Sequence, residues 1–252
     1  MKLSNSYLRF LIAKAAHKAG GGHIPSCYSC IDLVATIFEL FDIGINPNYD
    51  FVLSKGHAAL SLYTCLASKN LIGIDELNSI NTLDSRLGGH PDASKVPSVI
   101  FNTGSLGHGL PCSIGYALSK KESKKKVFCM LGDGECNEGT TWESAALAKH
   151  LKVGNLTVII DYNKSTNNVL PFYDLAGIWK GFGWEVHEIN GHNNEEIKQA
   201  LNYSQKNLDN PTVIVANTIK GYGIDFMENN GSWHYKCPTD EELELIKIQL
   251  EI

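Results

Sequence analysis

Two side chains suited to a divalent cation stand about thirty residues apart in this chain: Asp133, within Gly132-Asp133-Gly134, and Asn163, closing the run Asp161-Tyr162-Asn163. One carboxylate and one amide oxygen are too few protein ligands for a calcium cage. They suit magnesium, which keeps water and completes its octahedron with phosphate oxygens. Gly132 and Gly134 carry no side chain to block a diphosphate, and a helix starting near Asn137 would aim the positive end of its dipole at that anion. Gly-Asp-Gly alone is a common turn; its placement gives it weight. Val127–Leu131 is an apolar run that would deliver it, and Leu156–Asp161 is a second that would deliver Asn163. If these runs are neighbouring parallel strands, Asp133 and Asn163 emerge at the one sheet edge where such folds bind ligands.

The second group is made of histidines. Of the nine in the chain, His23, His57, His90 and His108 each follow a glycine in aperiodic sequence. Any one of them reads most simply as a surface or satisfied core histidine. Four, each beside a residue that lets backbone approach a ligand, point to a site. Imidazole exchanges protons near neutral pH, which suits chemistry that shuttles protons among hydroxyls and a carbanion. Cys27 and Cys30 form a lone Cys-x-x-Cys without a second pair at zinc-site spacing, and packing is the simpler reading. Cys65, Cys112 and Cys129 lie in apolar runs and read as buried thiols, and Trp179, Trp184 and Trp233 as core or interface aromatics.

Helical periodicity runs over Ser6–Ala19, Cys30–Phe41 and His57–Ser68, with a short apolar run Phe51–Leu53 between. Leu83–Ser105 is rich in Gly, Pro, Ser and Asp, a loop long enough to suggest function. Beyond it, helices over Leu106–Ser119, Asn137–His150, Leu175–Gly181, Asn194–Lys206 and Asp240–Leu250 alternate with strands Val127–Leu131, Leu156–Asp161, Trp184–Ile189 and Thr212–Asn217. Such alternation predicts an α/β fold, a parallel sheet with helices on both faces, as one domain over residues 1–252.

Composition excludes several classes. Of 252 residues, 43% are hydrophobic and 19% charged, an ordinary globular balance. The formal charge is −5, and the one dense basic run, Lys120, Lys121 and Lys124 to Lys126, reads as a solvated helix end, so nucleic acid is a poor partner. No apolar stretch approaches the roughly 18 residues needed to span a bilayer, and the first helix is amphipathic rather than a secretion signal. Seven cysteines without an export signal predict reduced thiols and a cytoplasmic protein.

The run LGDGECNEGTTWESAALAKHLKVGNLTVIIDYN resembles the diphosphate motif of thiamine diphosphate enzymes. AGGGHIPS, FVLSKGHAA, GGHPD, NTGSLGHGL and TIKGYGIDFMENNGSWHY, in that order, resemble the N-terminal half of transketolase, over about Tyr7 to Leu250. The resemblance implies the thiamine diphosphate-binding fold, with Asp133, Asn163 and the Ser165 carbonyl holding Mg²⁺. It implies that His57 and His234 contact the diphosphate, and that Gly104, Ser105 and Leu106 lie under the cofactor. Gly132, Gly134 and Glu135 belong to the same cofactor-binding motif, Gly134 through its N–H. His23 and His90 would face the reacting carbons, and Glu138 would be a carboxylate at the dimer interface linking two cofactor sites. The sequence departs from the family at His23-Ile24-Pro25-Ser26 and at His108, where the family has Gln, which puts the ordinary pentose-phosphate substrates in doubt. Its wording is closer to relatives found with surface-sugar biosynthesis.

The family's activating glutamate and the aromatic residues around the cofactor's pyrimidine belong to a second domain. The resemblance therefore implies a transferase subunit, inactive without a pyrimidine-domain partner, that moves a two-carbon ketol unit from a ketose phosphate to an aldose within an α₂β₂ assembly. Two alternatives remain open at this point: a 2-oxo acid decarboxylase or dehydrogenase component, and a non-catalytic cofactor-binding relative.

Overall fold

The computed structural model describes residues 3–167, 169–206 and 208–252. Helix α1 (Asn5–Lys18) begins where Ser4 Oγ accepts the Tyr7 N–H, and α2 (Ile24–Phe41) follows a glycine turn with Pro25 in its first turn, where the missing N–H costs nothing. Strand β1 (Tyr49–Leu53) leads through a 3₁₀ turn (Gly56–Ala58) into α3 (Ala59–Ser68). After a long irregular stretch come α4 (Gly109–Ser119), β2 (Lys126–Gly132), α5 (Gly139–His150), β3 (Leu156–Tyr162), α6 (Leu175–Gly181), β4 (Glu185–Asn190), α7 (Asn194–Ser204), β5 (Thr212–Asn217) and α8 (Asp240–Gln249).

The five strands form one parallel sheet in the order β1-β2-β3-β5-β4. Because side chains alternate along a strand, each supplies both layers of core. Phe128, Met130, Ile159 and Ile214 point toward α1, α2, α3, α7 and α8, whereas Val127, Cys129, Leu131, Val158 and Ile160 point toward α4, α5 and α6. Strands covered on both faces explain why β2 and β3 appear in the sequence as unbroken apolar runs.

Several expectations change. The α-helix expected near Asn137 starts at Gly139, because Gly134–Asn137 forms a separate 3₁₀ turn. Helix α2 begins six residues before the expected Cys30. At full length it is long and apolar enough by composition to cross a bilayer, against the sequence reading, but 83% of it is buried in the domain, as befits a core helix. Cys112 is exposed on α4, since it falls on the face turned away from the sheet. Lys126, grouped with solvated lysines, is the buried first residue of β2 and donates to the Gly154 carbonyl.

Candidate active site

Four adjacent strands deliver the site from their C-terminal ends: Ser54 and Lys55 after β1, Asp133 after β2, Asn163 after β3, and Thr218 to Lys220 after β5. Gly132 pairs in register with Asp161, so Asp133 and Asn163 leave the sheet side by side.

Asp133 is 3% exposed. Its Oδ1 accepts the Gly134 N–H at 2.8 Å, and its Oδ2 is buried with no hydrogen-bond partner among the described residues. Burial, aided by the nearby Asp161 carboxylate, pushes this carboxyl up to about 6. A buried, unpartnered carboxylate oxygen is costly unless a ligand satisfies it. The Asn163 amide is oriented from below, its Nδ2 donating to Asp161 Oδ2 (3.2 Å) and Ser29 Oγ (3.3 Å). Its Oδ1 accepts the Ser165 N–H (3.0 Å), and Ser165 itself is exposed.

Beneath this pair lies an ion pair that sequence reasoning missed. Lys55 and Asp161, 1% and 0% exposed, are in direct contact, and Asp161 also accepts from Ser29 (2.6 Å) and Thr218. Burial alone would neutralise both, but their mutual attraction and the added hydrogen bonds keep Lys55 high and Asp161 low. Lys220 was missed as well. Its Nζ lies 3.1 Å from His234 Nδ1, it has no carboxylate in ion-pair contact among the described residues, and burial, followed by the Lys55 charge, lowers its pKa. Both lysines sit inside motifs already singled out, one before Gly56-His57 and one before Gly221.

The loop bearing Lys220 is braced from behind. Asp32 takes a bidentate pair from Arg9 and a contact from His192 Nδ1 (2.8 Å). The Ile219 N–H donates to His192 Nε2 (2.9 Å), and that ring stacks on Tyr222 at 3.5 Å.

Three histidines converge. His23, the N-cap of α2, has its ring centroid 5.3 Å from that of His57 and 5.2 Å from that of His234, and 4.9 Å from the ring of Tyr235. His90 joins them through Gly104, where a Cβ would come within 2.7 Å of the His90 ring. Burial, then the His234, His90 and lysine charges, brings His23 down to about 4. Burial and Lys55 push His57 lower still, and burial and Lys220 lower His234. These three imidazoles are therefore neutral at pH 7, fit to donate and accept hydrogen bonds rather than to act as fixed cations. His23, His57, His90 and Tyr235 line a cavity of about 330 Å³.

Gly104 and Leu106 are partly accessible beside this cluster and Ser105 is exposed. Glu135, grouped in sequence with the cofactor contacts, turns inward. Its carboxylate accepts from Ser54 Oγ, from Gly107 N (2.9 Å) and from Gly132 N (3.3 Å), so it braces the glycine loop on the end of β2. Glu138 is exposed at the start of α5 and packs against Gly107, where a Cβ would lie 2.7 Å from its own. His108 is also exposed, its Nδ1 3.0 Å from the Leu106 carbonyl.

A parallel sheet with a cation-ready carboxylate, an oriented amide and clustered neutral imidazoles at one edge is the build of a diphosphate-binding α/β domain. Comparison with known proteins agrees. The family described as "Transketolase, thiamine diphosphate binding domain" matches residues 1–252. The chain is 37% identical to a subunit of the apulose-4-phosphate transketolase of Actinobacillus succinogenes, covering 99% of this chain and 95% of that protein. It is 34% identical to the SqwG subunit of the 6-deoxy-6-sulfo-D-fructose transketolase of Clostridium sp., covering 97% and 94%. Human transketolase is 36% identical over 94% of this chain but only 40% of its own length. The crystal structure of Campylobacter jejuni transketolase superposes with a TM-score of 0.89 at 28% identity, over 98% of this chain and 42% of that one. The chain belongs to the transketolase family, as its N-terminal, thiamine diphosphate-binding part.

Proposed function

We propose that this chain is the diphosphate-domain subunit of a two-polypeptide transketolase. With thiamine diphosphate and Mg²⁺ it would transfer a two-carbon ketol unit from a ketose phosphate to an aldose, in the cytoplasm. The observation that carries the reading is the buried Asp133 Oδ2, unpartnered among the described residues, beside the oriented Asn163 amide. That donor set fits a magnesium ion that shares its remaining positions with phosphate oxygens and water. When bound, thiamine diphosphate supplies the electron sink that ketol transfer requires.

The chain's own groups divide the work. Asp133, Asn163 and the Ser165 carbonyl would hold the cation. His57, His234 and Lys220 would meet the diphosphate over a floor of Gly104, Ser105 and Leu106, and the Gly134 N–H, which donates to Asp133 Oδ1 here, would have to turn from that carboxylate to a phosphate oxygen. His23 and His90 would hold and pass protons at the substrate hydroxyls, a role their place on the cavity wall allows. Glu138, on the exposed start of α5, would meet its counterpart across a two-fold axis.

The near end-to-end similarity to proteins that are themselves named as transketolase subunits supports a separate pyrimidine-domain partner; an α₂β₂ assembly is the arrangement that dyad closure of two such pairs would give. The test is reconstitution. The isolated chain should show no ketose-dependent turnover, and mixing it with the partner should restore turnover in the presence of Mg²⁺. Asp133→Ala should abolish turnover while the far-ultraviolet circular dichroism stays unchanged. Full turnover by the isolated chain would remove the two-polypeptide reading, and normal turnover by Asp133→Ala with the partner would remove the cation site.

A further inference from the structure

Behind the loop of residues 218–222, side chains from three elements form one buried hydrogen-bonded row: Arg9 on α1, Asp32 on α2 and His192 in the turn between β4 and α7, each only 5–6% exposed. His192 is fixed in place. Its N–H donates to Asn190 Oδ1 (3.0 Å), Asn193 caps α7 beside it, and its ring lies within 11° of the plane of Tyr222. Burial would raise the Asp32 carboxyl, but the His192 hydrogen bond and the Arg9 charge hold it below its ordinary value, so it stays ionised.

These contacts fix the tautomer. A backbone amide can only donate, so His192 Nε2, which accepts the Ile219 N–H at 2.9 Å, carries no proton. The ring proton therefore sits on Nδ1 and is donated to Asp32 Oδ2 at 2.8 Å. In a catalytic triad, an imidazole oriented by a carboxylate in this way offers Nε2 as a base. Here that lone pair is spent on the backbone, so His192 holds the chain rather than moving protons. The same row grips the loop on both sides of Lys220, through His192 at the Ile219 N–H and through Arg9 Nε at the Tyr222 carbonyl (3.1 Å). Lys220 needs that support: its ammonium, 3.1 Å from His234 Nδ1, has no carboxylate in ion-pair contact among the described residues.

We infer that His192 is a positioning residue, whose unprotonated Nε2 ties the Ile219 amide to the Arg9–Asp32 pair and so aims Lys220 at the diphosphate of the bound cofactor. This rests on the thiamine diphosphate reading of the site and deepens it. Asparagine at position 192 separates the tie from the packing. Its amide ends where the ring's Nδ1 stands, so it keeps a donor for Asp32 and falls short of the Ile219 N–H.

The experiment is calorimetric titration of thiamine diphosphate, with Mg²⁺ in excess, into the chain paired with its pyrimidine-domain partner, for wild type, H192N, K220M and the double variant. Each single variant should weaken binding about tenfold, and H192N should add less than about threefold in the K220M background, because residues acting through one network are not additive. Amide hydrogen exchange in the peptide containing Ile219 should speed up in H192N while that of β2 and β3 stays unchanged. A purely structural role for His192 would instead weaken binding equally with and without Lys220. That result, wild-type affinity in H192N, or wild-type affinity in K220M overturns the inference alone. Should H192N fail to fold, a long-range ¹H–¹⁵N spectrum of the wild-type chain needs no variant: a proton on Nδ1 of His192 is expected, and one on Nε2 overturns the inference. A wild-type pair that binds no thiamine diphosphate overturns the cofactor reading, and this inference with it.

Discussion

Lys55→Met would leave the Asp161 carboxylate fully buried without its counter-charge. Removing one partner of such a pair costs about 3–5 kcal/mol, far more than the net worth of the pair, because the orphaned charge cannot reach water. Asp161 is 0% exposed and Lys55 1%, so little solvent relief exists. In urea the midpoint should fall by about 1–2 M. Asp161→Asn should cost a similar amount by stranding the ammonium. The double variant Lys55→Met/Asp161→Asn has no buried charge left and should lose much less than the sum, giving a coupling energy of about 3 kcal/mol or more. A functional consequence follows from the Asn163 Nδ2 bond to Asp161. Even where the double variant is stable, loosening that amide should weaken Mg²⁺-dependent thiamine diphosphate binding about 10–100-fold, the usual effect of removing a group that orients a metal ligand. The assays are urea denaturation followed by circular dichroism, and calorimetric titration of the cofactor with Mg²⁺ in excess. Additive stability losses, or wild-type cofactor affinity in the double variant, would refute the reasoning.

Three further outcomes are expected. Asp133 has a folded pKa near 6, above its ordinary value of 3.8; its favourable contribution is complete below about pH 3.8 and disappears as pH rises through 6. Without divalent cations, the stability of Asp133→Asn relative to wild type should therefore rise by about 2 kcal/mol between pH 4 and 7.5, and a pH-independent difference in denaturation would contradict this. His57→Ala and His234→Ala should raise the cofactor concentration needed for half-maximal rate, whereas His23→Ala and His90→Ala should lower turnover about 10²–10⁴-fold at saturating cofactor; steady-state kinetics separates the pairs. On the isolated chain, Gly109→Ala should lower the melting temperature, since its Cβ would fall 2.2 Å from Ser54 Oγ, while Gly115→Ala, with open space around it on the same helix, should raise it by helix propensity.

How much of this was legible differs from residue to residue. The spacing of Asp133 and Asn163 could be read because β2 and β3 are buried on both faces and therefore unbroken in hydrophobicity; an apolar run that ends in Gly-Asp-Gly points its polar residues at a sheet edge. Of the glycine-flanked histidines, His23, His57 and His90 could be read for a similar local reason, whereas His108 is exposed outside the cluster and His234, which joins it, has no glycine before it. The start of α2 could not, because a proline after a glycine-rich turn looks like loop until its place in the first helical turn is seen. Cys112 shows the limit of an apolar run on a short helix, where hydrophobicity does not say which side faces the sheet.

The sequence by itself determined which residue types stand at the ends of which strands, since that depends on neighbours along the chain. Tertiary structure alone decided what those residues touch. Lysine is read as a surface residue by default, so nothing local marks Lys55 as the buried partner of Asp161, about a hundred residues away, or Lys220 as the neighbour of His234. Glu135 stands one residue from Gly134 and reads locally as part of the same cradle, yet its carboxylate turns inward to Ser54 and Gly107. Which way a side chain turns, and which charge finds a partner out of water, depends on elements that meet only when the sheet orders its strands.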